Sequence, residues 1–147
     1  CESELAQVCR REQVSLLPYS PLGGGVLTGK YQSDHPPGAR FSAYLVDGDA
    51  RQKKMAKRFV NPRTLETTSR LSEIAASVGI TVTALAVAWS RQHDFVASTI
   101  IGATTLAQLE ESLLARDLVL DDETLARIDE LDAELPNPTN EDGLRRL

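Results

Sequence analysis

Leu5, Val8 and Cys9 follow the i, i+3, i+4 spacing of a helix and predict one over Glu2 to Arg11. The pattern then tightens into "VSLLPYS", which reads as a short buried strand ending near Pro18 and Ser20. From Pro21 to Asp49 the glycines, "HPPGAR" and "DGD" break any periodicity, so this stretch reads as a long loop. Loops of that length in compact domains are usually functional. The basic run "RQKKMAKRF" reads as a solvated helical face. Asn61 and Pro62 punctuate the start of a helix over Thr64 to Ser77, with Leu65, Leu71, Ile74 and Ala75 as its apolar stripe and Gly79 as its stop. "TVTALAVAWSRQ" predicts a further helix from Thr81 to Gln92, and the β-branched run "FVASTIIGA" a second buried strand ending in Gly102. "TTLAQLEESLLA" begins a helix capped by Thr104 or Thr105. "LDDETLARIDELDAEL" begins another, capped by Asp121 or Asp122, that buries Leu125, Ile128, Leu131 and Leu135.

Strands alternating with helices imply an α/β architecture, with parallel strands joined by crossover helices. Two strands alone leave most of their hydrogen-bonding edges unpaired, and these edges are apolar. The expectation is a part of a larger sheet: one unit over residues 1–135, then a polar tail over 136–147. The opening Cys1-Glu2-Ser3-Glu4 is already helix-like and lacks an initiator Met, as a piece cut from a longer chain would be.

The 147 residues suffice for one ordinary domain with a real core. A composition 41% hydrophobic and 25% charged is that of a globular protein. Net charge of −5 argues against a general nucleic-acid surface. No apolar run approaches the ~20 residues that span a bilayer, so no membrane partner is expected. Cys1 and Cys9, eight apart on one helix, read as reduced thiols of a cytoplasmic chain. His35 and His93 are isolated, and no metal site is expected.

Both strand-like runs end in glycines and hydroxyls before the chain reverses, and in parallel α/β proteins that end binds ligands. Gly23, Gly24 and Gly25 lack side chains that would hold an anion away from backbone N–H groups. Gly102-Ala103-Thr104-Thr105 delivers the first free N–H groups of a helix, which favour phosphate. Lys30 and Arg40 can add full positive charges. Two phosphate-friendly ends suit a dinucleotide, although glycine-rich loops also serve simply as turns.

"LLPYSPLGGGVLTGKY" together with "IIGATTLAQLEESLLA" resembles the last two strand-and-loop units of the aldo-keto reductase family, especially its Tas-like bacterial members and potassium-channel β subunits. The resemblance runs to about Leu135 and implies the C-terminal half of a TIM (β/α)8 barrel, which would reduce a small-molecule carbonyl with NADPH and no metal. It implies that Tyr19 stacks on the nicotinamide ring and that Ser20, Pro21, Leu22, Gly23 and Gly24 line the pyrophosphate. Lys30 and Arg40 would hold the cofactor from above. Gly102 and Thr104 would meet the adenosine phosphate region, with Gln108 and Glu111 at the ribose or adenine. Ser112 stands where the family usually has Asn, and a hydroxyl reaches less far.

The family's Tyr acid and its Lys, Asp and His assistants belong to the first four strands, and none of those motifs occurs here; Tyr31 and Tyr44 lie in the wrong loop. The implied role is therefore the cofactor-binding half of an oxidoreductase, itself inactive and completed by the missing N-terminal half-barrel or by self-association. The alternative is a non-catalytic NADPH-sensing or interaction module, as in channel β subunits. On this reading Gly24→Val weakens NADPH more than folding, because the branched side chain takes the pyrophosphate's space.

Overall fold

The computed structural model describes residues 4–33 and 36–139. Cys1, His35 and the tail from 140 onward lie outside the described residues. The chain divides into two compact units, Cys1–Pro21 with Thr83–Leu120 and Leu22–Val82 with Asp121–Leu147.

The first unit contains helices α1 (Leu5–Glu12), α5 (Val82–Arg91) and α6 (Leu106–Leu113). Between them the two strand-like runs meet in parallel at two isolated bridges, Leu16 to Val96 and Tyr19 to Ile100. The Leu16 N–H donates to Phe95 O at 2.8 Å, Ala97 N–H to Leu16 O at 3.0 Å, and Ile100 N–H to Pro18 O at 2.8 Å. The parallel direction agrees with the expectation, but the two expected strands do not form: among the described residues there are isolated bridges and no continuous ladder. From the first bridge to the second, one run advances three residues and the other four, so the register slips by one, as at a bulge. Pro18 also has no N–H to give.

The runs are less buried than expected. Phe95 is buried and Leu16 and Val96 half-buried, but Val14, Leu17 and Ile100 are exposed. One side is covered by α1, whose Ala6 and Cys9 pack with Phe95, Leu16 and Val96. The buried stripe of α1 is thus Ala6 and Cys9, while the expected Leu5 and Val8 are exposed. Arg10 grips Asp94 with two 2.7 Å hydrogen bonds and lies over the Phe95 ring. The Gln92 carboxamide pairs with the Leu120 backbone in both directions, at 2.7 and 2.8 Å.

The second unit contains α2 (Arg40–Asp47), α3 (Ala50–Phe59), α4 (Pro62–Ser77) and α7 (Asp122–Glu134). Helix α2 corrects the expected loop. "RFSAYLVD" places Phe41, Tyr44 and Leu45 at i, i+3, i+4, and that short stripe joins the unit's core of Val26, Tyr31, Ala39, Phe41 and Ala56. Phe41 is its centre, stacked on Phe59 at 5.3 Å and within 5.9 and 6.1 Å of Tyr31 and Tyr44. Reciprocal caps fix the helix starts: Asp49 with Gln52 on α3, and Asn61 with Thr64 ahead of Pro62 on α4. Asp121 caps α7, accepting from Thr124 N–H at 2.8 Å. Ile74 and Ala75 of the expected α4 stripe are buried, and so are Thr64 and Thr68, whose hydroxyls bond to main-chain carbonyls one turn back. Helices α4 and α7 pack together, with Ile128 and Leu131 buried and an Arg70–Glu134 ion pair at the surface.

Candidate cofactor site

In the first unit, Tyr19 lies at the parallel bridge to Ile100 with 79% of its surface exposed. Its ring does not cap the packed interior. Ser20 follows at φ 56°, a left-handed conformation uncommon for a side-chain-bearing residue. It turns the chain toward half-buried Pro21. The other run passes through Ile100 to Gly102, where an added Cβ would meet nothing within 4 Å.

Thr105, not Thr104, caps α6, its hydroxyl accepting from the Gln108 N–H at 3.3 Å. Thr104 closes the same turn by donating its N–H and its hydroxyl to Gln108 Oε1, at 3.0 and 3.1 Å. Thr104 and Gln108 therefore form one clasp at the start of the helix. Glu111 is half-buried one turn on. Ser112 is buried and donates to Gln108 O at 2.9 Å, so its hydroxyl is spent within the helix. It also lines a hollow of about 370 Å³ with Arg91, Ser98, Thr99 and Arg116.

In the second unit, Leu22 opens the turn, accepting from Gly25 N–H at 2.8 Å and Leu27 N–H at 3.2 Å. Gly23, Gly24 and Gly25 have φ of 54°, 67° and 95°, a left-handed run that other L-residues take only under strain. Their back sides differ. A Cβ at Gly23 would have only Phe59 in reach, at 4.0 Å, whereas at Gly24 it would stand 2.6 Å from Phe41 Cζ and at Gly25 2.7 Å from Lys30 Nζ. This corrects the steric expectation for Gly24: a side chain there strikes the aromatic core first.

Lys30 is exposed, with its ammonium 5.4 Å from the Tyr31 ring centroid. Arg40 opens α2, where its charge adds to the positive end of the helix dipole. Tyr31 is buried, its hydroxyl accepting from the Phe41 N–H at 3.1 Å, so it serves packing. Phe41 is the residue that the sequence reading missed, and the apolar spacing of "RFSAYL" was the available signal. Among the described residues no three His, Cys, Asp or Glu side chains come together.

Residues 1–133 match the model of the Aldo/keto reductase family. The chain belongs to the aldo/keto reductase family, whose fold is a TIM barrel and whose members generally use NAD(P)H. It is 36% identical over 129 residues to Protein tas of Escherichia coli K12, covering 87% of this chain and 35% of that protein. It is 34% identical over 119 residues to a probable voltage-gated potassium channel subunit beta of Arabidopsis thaliana, covering 80% and 34% respectively. L-glyceraldehyde 3-phosphate reductase of Escherichia coli K12 is 29% identical over 130 residues, covering 88% and 36%. The chain thus spans about a third of the length of the curated relatives that it matches. No single helix among the described residues is long and apolar enough to cross a membrane.

Proposed function

We propose that this chain is the cofactor-holding, C-terminal half of an NADPH-dependent aldo-keto reductase barrel acting on a small aldehyde or ketone. The parallel Tyr19–Ile100 bridge carries the reading. Parallel pairing sends both runs out at the same end, so Tyr19-Ser20-Pro21 and Gly102 to Gln108 leave the pair together. Gly102 tests the fit: the space a Cβ would fill is open, as close approach of a phosphate requires.

NADPH held by these residues would supply the hydride that, together with a proton, reduces a carbonyl to an alcohol. In this reading Tyr19 offers an exposed ring face for the nicotinamide, and Ser20, Pro21, Leu22, Gly23 and Gly24 follow the pyrophosphate. Lys30 and Arg40 neutralise phosphate charge. Gly102, Thr104, Gln108 and Glu111 take the adenosine end. Ser112 acts from behind, holding the Gln108 turn. The proton donor belongs to the half-barrel that this chain lacks, so the chain alone holds the cofactor without turning over substrate. Exposed Leu5, Leu17, Ile100, Leu106 and Leu114 on the first unit support an apolar partner there.

The likeness to channel β subunits favours a second reading, an NADPH-responsive interaction module. Appending the missing half-barrel separates the two: restored carbonyl reduction supports the enzyme, and binding without reduction supports the module.

A further inference from the structure

Helix α3 turns Ala56 into the core and presents Arg51, Lys54, Met55 and Arg58 outward at i, i+3, i+4 and i+7, with Lys53 and Lys57 beside them, all exposed. None of these five cations makes an ion pair with an acid among the described residues. Lys53 with Lys57 and Lys54 with Arg58 are instead like charges four apart, an arrangement that weakens a helix. In a chain of net charge −5, this concentration of positive charge, without an ion-pair partner among the described residues and with Arg58 lying over the Phe59 ring, points to a partner.

The same unit carries the complement. Helix α7 buries Thr124, Ile128 and Leu131 and exposes Asp122, Glu123, Ala126, Asp129, Glu130 and Ala133. None of those four acids is ion-paired among the described residues; the acid of α7 that is paired is Glu134, with Arg70. The charges also match in spacing. Arg51 and Arg58 are seven residues apart, as are Asp122 and Asp129, and Glu123 and Glu130. Seven helical residues rise ~10.5 Å.

We propose that the basic face of α3 on one copy docks on the acidic face of α7 on a second copy, with Met55 against the small Ala126 and Ala133. Exposed pairs are individually weak and screened by salt, so the association is modest and salt-released. Apolar association through the first unit would not weaken with salt, so salt distinguishes the two.

Sedimentation velocity of the 147-residue chain at ~20 mM and ~0.5 M NaCl reads the salt-released component, expected to weaken about tenfold or more across that range. One variant carries Arg51→Glu, Lys54→Glu and Arg58→Glu, and the other Glu123→Lys, Asp129→Lys and Glu130→Lys. Each alone should lose that component, and an equimolar mixture should regain it, since each reversed face then meets its opposite. Misfolded variants would not regain association on mixing. The milder set Lys54→Gln, Arg58→Gln and Glu130→Gln, checked by circular dichroism, should weaken it in graded fashion. Association indifferent to salt, absent at low salt, unmoved by reversal, or not restored by mixing would overturn the proposal. Restored binding of the α3 variant to an unrelated basic peptide but not to the α7 variant would also overturn it.

Discussion

Phe41 occupies the space that a side chain at Gly24 would need: a Cβ there would stand 2.6 Å from Phe41 Cζ and 2.7 Å from Cε2. The two residues lie seventeen apart in sequence, one in the glycine turn and one in α2. The turn is thus shaped first by the packing of the second unit.

Gly24→Val should therefore destabilise the fold before it affects the cofactor. Overpacking a filled core costs ~1–3 kcal/mol, and the left-handed backbone adds ~1–2 kcal/mol for a residue with a Cβ. Urea denaturation followed by circular dichroism should show an earlier midpoint. The same variant combined with Phe41→Leu should recover part of the steric loss; no recovery would mean that Phe41 is not the obstacle.

Asp94 is held below the usual carboxylate range chiefly by its side-chain hydrogen bonds from Arg10, which act against desolvation and are joined by the nearby Arg10 charge. A depressed folded-state pKa contributes stability that is present above the unfolded value, ~3.9, and lost as pH falls through the folded one. Unfolding midpoints of the chain should fall between pH 5 and pH 2, and Asp94→Asn should flatten part of that fall. Both partners are exposed, so the effect is small and shrinks at high salt. An identical acid profile in the variant would remove Arg10–Asp94 from the account.

Lys30→Ala should weaken NADPH several-fold at low ionic strength and little at high, because an exposed charge is screened within ~8–10 Å. Fluorescence titration at two salt concentrations measures it. A loss equal at both would mean that Lys30 acts by covering Gly25 and the Tyr31 ring, where its ammonium already rests.

Helix existence was legible in the sequence wherever a cap and a stripe agreed, as at Asn61-Pro62 with Ile74 and Ala75, or Asp121 with Ile128 and Leu131. Helix α2 was hidden because its two turns lie between glycines in a stretch dominated by breakers. The two runs were legible as parallel, but neither their isolated bridges nor the one-residue slip between them was, since register depends on contacts between distant residues. The three glycines read alike in sequence, yet a Cβ would only reach Phe59 at 4.0 Å at the first, would strike the Phe41 ring at the second and the Lys30 ammonium at the third. Such differences arise only from tertiary packing. For the same reason Ser112 could be placed on a helix but not seen to spend its hydroxyl on Gln108.

In the proposed function, this chain holds NADPH without itself turning over a carbonyl. Fluorescence titration of NADPH into the chain and into Gly102→Val, with a carbonyl assay on the same samples, tests that claim most directly. Saturable binding by the parent chain, binding weakened at least about tenfold by Gly102→Val with an unchanged urea midpoint, and no carbonyl reduction by either are the expected results. General acid catalysis alone is typically worth ~10²–10⁴-fold. No binding by the parent chain, equal binding by the variant, or turnover by the purified chain would contradict it.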